Sequence, residues 1–271
     1  MSGGIEMDIA KQRAVLADSK VIHARSLEKS HKRLALLLKP GMTVLDLGCG
    51  TGAITAGIAE KVGPQGRVIG IDHNPNFINQ AKLLCQHMPW VTFEVGDIYQ
   101  IPYEGKFDIV TAARVLQWLS NPHAALEQMI RAAKIDGYVI ALDYNHPKIS
   151  WVPEPPNSMQ RFYQTFLSWR DEAGMDNEIA DHLAEMMKHS GLDNIVVTSQ
   201  NEKTERKDED FQTHISVWAS VVASRGLQMV KDGFLTEQER TQVGEEYEKW
   251  IQEKAETQIM YLKAVEGRKT H

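Results

Sequence analysis

Three glycines and three carboxylates stand at spacings suited to a nucleotide-like ligand. Gly48, Gly50 and Gly52 follow the apolar run Val44-Leu45-Asp46-Leu47. A glycine turn between a strand and a helix lets a ligand approach the backbone closely, although such turns also serve plain packing. The Gly-x-Gly-x-Gly spacing differs from the Gly-x-Gly-x-x-Gly of a dinucleotide pyrophosphate cradle, which argues against a nicotinamide-dependent oxidoreductase. Asp46 sits just ahead of the glycines. Asp72 closes the next apolar run, with His73 beside it; a carboxylate there can accept hydrogen bonds from both hydroxyls of a ribose. A helix-capping or turn aspartate is the alternative. Asp97, between Gly96 and Ile98, can accept from an exocyclic amine while Ile98 offers an amide and apolar cover, or it is an ordinary turn aspartate.

Further along, Asp143-Tyr144-Asn145-His146 holds the candidate proton acceptors. His146 titrates near neutrality and can take a substrate proton; a loop histidine before Pro147 with no chemistry is the alternative. Tyr144 either lines a pocket or reacts. Trp151, Phe162, Tyr163, Phe166 and Trp169 form a lid over an apolar acceptor or an aromatic core, since helical aromatic spacing serves both. No metal site is expected. The ten histidines are dispersed, and His182 and His189 lack cysteine ligands nearby.

These residues need elements to position them, and residues 43 to 143 alternate strand with helix. Strands are expected at 44–47, 67–72, 91–95, 107–112 and 137–143. The helix after Asp72 starts with Asn74 as cap and Pro75 at its first position; Asn121-Pro122 opens another. This alternation gives a parallel sheet with helices on both faces. Helices then follow after Pro156 and over 177–190, with a returning strand at 195–198. Residues 208–254 read as mostly helical, Thr236 and Glu239 forming a capping box, and 258–265 as one last strand.

The 271 residues, 42% hydrophobic, suffice for one large α/β domain. A net charge of −6, with Lys and Arg scattered among acids, argues against nucleic acid as partner. No apolar run is long enough to cross a bilayer, and residues 1–10 do not resemble a secretory signal. Cys49 and Cys85 are the only cysteines, so no disulfide framework exists. A cytoplasmic protein, monomeric or homodimeric, is expected; the C-terminal helices could equally pack within the chain or form a dimer interface.

The string Val44-Leu45-Asp46-Leu47-Gly48-Cys49-Gly50-Thr51-Gly52, with Asp72, Asp97-Ile98 and the stretch Phe107 to Leu119 in order, resembles class I S-adenosylmethionine-dependent methyltransferases. The likeness covers about residues 40–146 and leans toward small-molecule enzymes of the ubiquinone and menaquinone type. It implies a Rossmann-like, doubly wound sheet of seven strands, mostly parallel, whose last strand is antiparallel, with a helical lid and C-terminal insertion. One domain would then comprise an N-terminal helical cap (1–39), a cofactor-binding core (40–147) and helical substrate segments (148–190 and 208–254). The resemblance puts Asp46, Gly48, Gly50, Gly52, Asp72, His73, Asp97, Ile98, Ala113, Arg114 and Leu116 around the cofactor, Arg114 being a solvated helix-start residue otherwise. Trp118, with Trp151, Phe162, Tyr163 and Phe166, would face the acceptor. A helix near 5–23 would fold over the cofactor, and Arg25 or His31 would reach its carboxylate unless both are plain solvated residues. The implied reaction is direct displacement of the methyl onto nitrogen or oxygen, with carbon possible. Such transfer needs alignment and exclusion of water more than a fixed catalytic group. A non-catalytic cofactor-binding protein and a tRNA or protein methyltransferase are the other readings.

Overall fold

A computed structural model describes residues 9–14 and 25–271. Among the described residues the first elements are three short helices, α1 (Ile9–Ala14), α2 (Leu27–Ser30) and α3 (Lys32–Leu37). The chain then winds strand and helix in turn: β1 (Thr43–Leu47), α4 (Ala53–Val62), β2 (Arg67–Asp72), α5 (Pro75–Leu84), β3 (Val91–Val95), β4 (Phe107–Ala113), α6 (Pro122–Ala132) and β5 (Ala133–Tyr144). After β5 come β6 (Ser150–Val152), α7 (Asn157–Glu172), α8 (Ile179–His189), β7 (Asp193–Ser199), β8 (Glu202–Glu205), α9 (Phe211–Ile215), α10 (Val217–Lys231), α11 (Glu237–Glu253), β9 (Thr257–Met260) and β10 (Leu262–Arg268).

The main sheet has seven strands in the order β3-β2-β1-β4-β5-β10-β7. The first five are parallel, and β10 runs antiparallel between β5 and β7. This is the sheet expected from the sequence. Side chains alternate across it as the pleat requires. Val44 packs on one face with Ile54 and Ile58 of α4 and Ile78 of α5. Leu45 and Leu47 pack on the other with Leu126 and Met129 of α6 and Ile179 and Leu183 of α8. The helix starts read from the sequence are capped: Asn74 accepts from the Asn76 amide, Asn121 from the Ala124 amide, and Thr236 with Glu239 forms its capping box.

One expectation needs correction, and one open choice is decided by packing. Residues 258–265 are not one strand. The chain breaks at Tyr261, so that β10 fills the main sheet while β9 joins β6 and β8 in a second, three-stranded antiparallel sheet. Local pattern gave no sign of it, because β6 and β9 lie about a hundred residues apart. Of the two readings of the aromatic set, the packing is that of the core. Phe162, Tyr163, Phe166 and Trp169 are all buried, and Trp218 of α10 stands edge-on to Tyr163 at 4.8 Å and to Phe166 at 5.6 Å. Trp151 lies on β6 and stands edge-on to Tyr163 at 5.2 Å. Edge-to-face contacts of this kind add to burial. Phe166→Ala should therefore cost about 3–5 kcal/mol of unfolding free energy in a denaturant titration.

Candidate active site

The sheet reverses direction of winding at β1, with β2 on one side and β4 on the other. Ligands of open α/β sheets bind at the carboxyl ends of strands at such a switch point. A cleft lies there, lined from the β1 turn by Gly48 and Gly50, from the end of β2 by Asp72 and His73, by Asp97 and Ile98 after β3, and by Ala113 and Arg114 after β4.

The turn is built for close approach. Gly48 has φ +66°, and a Cβ on it would fall 2.4 Å from Val115 Cγ2. The Gly48 and Cys49 amides both donate to the Ile71 carbonyl, at 2.7 and 3.1 Å. The Gly50 amide donates to Asp72 Oδ2 at 2.8 Å, and the Asn74 amide to Oδ1 at 2.9 Å. One lone pair on each oxygen remains for a ligand hydroxyl. His73 is half-exposed, with Nδ1 3.4 Å from Asp72 Oδ1. Asp46 is buried; Thr55 Oγ1 donates to it at 2.6 Å, and burial pushes its carboxyl up to about 7. It braces the turn onto α4.

At the other end of the cleft Asp97 Oδ1 accepts from the Tyr99 amide at 3.0 Å. Its Oδ2 pairs with Lys11 Nζ at 2.6 Å. Burial disfavours the Asp97 charge, yet Lys11 and the Tyr99 amide together hold the carboxyl below its usual range. Lys11 and Ala14 of α1 line the cleft, so the described part of the N-terminal segment does cover it. The expected 5–23 helix otherwise lies outside the described residues. Two arginines anchor α1. Arg225 Nη1 donates to the Arg13 carbonyl at 2.6 Å, and Arg13 pairs with Glu172 at 2.9 Å and Asp232 at 3.1 Å. Arg225 and Arg170 both lie over the Trp118 ring, at 4.7 and 4.5 Å, and the expected substrate residue Trp118 lines the cleft.

Arg114 is buried rather than solvated and adopts φ +61°, uncommon for a residue with a Cβ. Its Nε donates to the Tyr144 hydroxyl at 2.9 Å, Nη1 to the Ser30 carbonyl at 3.3 Å, and Nη2 to Glu202 of β8. Burial opposes its charge, but Tyr144 and Glu202 outweigh that and raise its pKa.

The structure thus brings Asp46, Gly48, Gly50, Asp72, His73, Asp97, Ile98, Ala113, Arg114 and Trp118 to one cleft, and Arg25 with them. The other expected residues lie elsewhere, Tyr144 beside the cleft against Arg114 and the aromatic set in the core. Gly52 caps α4 at φ +81°, where a Cβ would meet Ala81 at 2.9 Å. Leu116 is buried in the opposite core layer, and only its amide faces Asp143 Oδ2, at 3.1 Å. His31 is fully buried beside Thr111; burial and Arg114 push its pKa down to about 3. His146 is buried with Nε2 2.7 Å from Gln117 Oε1, and burial, then Arg170, hold its pKa well below the ordinary value. It packs edge-on against Phe166 and Trp218, away from the cleft. The sequence reading missed Lys11 and Glu202. Lys11 had no local signal, and Glu202 arrives through the second sheet. Among the described residues no cluster of histidine, cysteine and carboxylate groups could hold a metal, and no helix is long and apolar enough to cross a membrane.

A family model described as a methyltransferase domain matches residues 38–209. The curated relatives include an uncharacterised transposon protein of Streptomyces fradiae, 39% identical over 107 residues, which cover 39% of this chain and 31% of that one. They also include the demethylmenaquinone methyltransferase of Lactococcus lactis, 32% identical over 148 residues, 54% of this chain and 57% of the relative. The chain therefore spans about a third to somewhat over half of the length of these relatives. Among solved structures, the YcgJ protein of Bacillus subtilis matches with TM-score 0.60 and 17% identity, over 90% of this chain and 99% of that one. A phosphoethanolamine N-methyltransferase of Haemonchus contortus, solved with phosphomonomethylethanolamine and S-adenosylhomocysteine, matches with TM-score 0.55 and 17% identity, over 89% of this chain and 52% of that one. These two likenesses are of fold. With most of its length matched by the family model, the chain belongs to the methyltransferase domain family, and its sheet is that of the class I group.

The buried neutral histidines give a pH test. In the unfolded chain His31 protonates below about 6.5, and in the folded chain only near 3, so it withdraws stability as pH falls through that window. His31→Gln removes this effect. Its unfolding free energy relative to wild type should improve by about 1.4 kcal/mol per unit from pH 6.5 down to 4, read from urea titrations at each pH.

Proposed function

We propose that this chain binds S-adenosylmethionine in the β1–β2–β4 cleft and transfers its methyl group to a small molecule, by direct displacement onto nitrogen or oxygen, with carbon possible. The observation that carries this reading is the meeting of three expected contacts in one cleft: the glycine turn at Gly48, the Asp72 carboxylate and the Asp97-Ile98 pair. A Cβ at Gly48 would collide with Val115, so only glycine keeps the turn this close to β4, and both carboxylates line the cleft. A dinucleotide pyrophosphate would find no such welcome, since the Gly48, Cys49 and Gly50 amides are already bonded to Ile71 and Asp72.

Each residue then has a task. Asp72 accepts from the ribose hydroxyls, beside His73. Asp97 accepts from the adenine amine, and Ile98 covers the ring. Ala113 and the Arg114 backbone wall the methionine end, and Trp118 closes the far side. The bound cofactor supplies an electrophilic methyl on a sulfonium. The chain aligns the acceptor with it and keeps water out, with α1 held over the cleft by Arg13 and Arg225. Of the two expected proton acceptors, Tyr144 has its hydroxyl on the Arg114 side chain and suits an orienting role. His146 is buried against Gln117 and does not serve as base. The net charge of −6 and the absence of a basic stripe support a small-molecule acceptor over RNA, and so do relatives named as quinone methyltransferases.

Isothermal titration tests the reading. S-adenosylmethionine should bind at micromolar Kd, Asp72→Ala should weaken it roughly 10–100-fold through loss of charge-assisted hydrogen bonds, and NADH should not bind. Tighter binding of NADH than of S-adenosylmethionine would reject the proposal.

A further inference from the structure

A second pocket abuts the first, and Arg25 lines both. Its other walls include Tyr144 from β5, Glu202 and Thr204 from β8, Thr213 from α9 and Ser220 from α10. Most of these groups offer hydroxyl or carboxylate oxygens, with Val217 and Met260 as apolar contacts. A prenyl chain would leave those polar groups without partners, at a cost for each. A small polar molecule would satisfy them.

The charges inside this pocket are unequal. Glu202 is committed to Arg114 in an ion pair, and Arg114 also holds the Tyr144 hydroxyl and the Ser30 carbonyl. Arg25 is different. Among the described residues, Arg114, Tyr144, Glu202 and Asp143 bear on its guanidinium from a distance, with no hydrogen bond to it. Burial, then the like charge of Arg114, lower its pKa. A guanidinium presents five donors in a fork that matches a carboxylate. A guanidinium half-buried between two pockets calls for an anion as partner.

We infer that the second pocket is the acceptor site and takes a small molecule bearing a carboxylate, which the Arg25 guanidinium holds at the junction of the two pockets. This rests on the first pocket being the cofactor site. The carboxylate of the methionine moiety has the same chemistry, and the two sources separate experimentally.

Ligand-observed NMR on protein saturated with S-adenosylhomocysteine measures binding of benzoate and of its uncharged counterpart benzamide. The wild type should prefer benzoate by at least about tenfold, Arg25→Gln should abolish the preference, and Arg25→Lys should keep part of it. A thermal melt checks that both variants are folded. In parallel, calorimetry compares S-adenosylhomocysteine with 5′-methylthioadenosine, which lacks the carboxylate; Arg25→Gln should change that ratio by less than about threefold. Equal binding of benzoate and benzamide, no binding of benzoate, or a collapse of the homocysteine-over-methylthioadenosine ratio in Arg25→Gln overturns the inference. Wild-type protein that binds no S-adenosylhomocysteine contradicts the cofactor reading itself.

Discussion

The Asp72 carboxylate ties the glycine turn to the end of β2, and the cleft depends on that tie. One oxygen takes the Gly50 amide and the other the Asn74 amide, so a single side chain fixes the turn after β1 and the start of α5. A carboxylate accepting backbone amides is among the stronger neutral-to-charged contacts a protein makes. Gly48 completes the arrangement. Its left-handed backbone brings the turn against Val115 with no room for a side chain, which sets the floor of the cleft between β1 and β4. The same carboxylate that organises the turn keeps a lone pair on each oxygen, so under the proposed function structure and recognition would share one group.

A second constraint lies at Arg114. The residue turns into the left-handed region directly after β4, and this aims its buried guanidinium at β5, α2 and β8 at once. Strained backbone of this type is usually kept where a site needs it. Here it links the glycine-turn cleft with the polar pocket beyond, through Tyr144 and Glu202. The small sheet of β6, β8 and β9 is what carries Glu202 to that point. The extra sheet is therefore part of the site's wall as well as of the fold.

Much of this was legible in the sequence, for physical reasons that differ by element. The parallel strands read clearly because both their faces are buried and their apolar runs are continuous. The helix starts at Asn74 and Asn121 read clearly because a cap is a local event. Gly48, Asp72 and Asp97 were found because each sits at the end of a legible strand. What escaped depends on pairing over long stretches of chain. The break at Tyr261, the second sheet and the arrival of Glu202 all come from contacts between distant segments. His146 misled because a histidine in a loop after β5 looks exposed, whereas the aromatic layer from α7 and α10 closes over it. Phe166 has helical spacing whether it is lid or core, and only packing against Trp218 decides.

The central claim is that one cleft holds the whole methyl donor. A crystal structure of the protein grown with S-adenosylhomocysteine tests it most directly. The account predicts the ribose hydroxyls on Asp72, the adenine between Asp97 and Ile98, and the homocysteine end against Ala113 and Arg114. A ligand bound elsewhere, or an adenine that leaves Asp72 and Asp97 untouched, would contradict it.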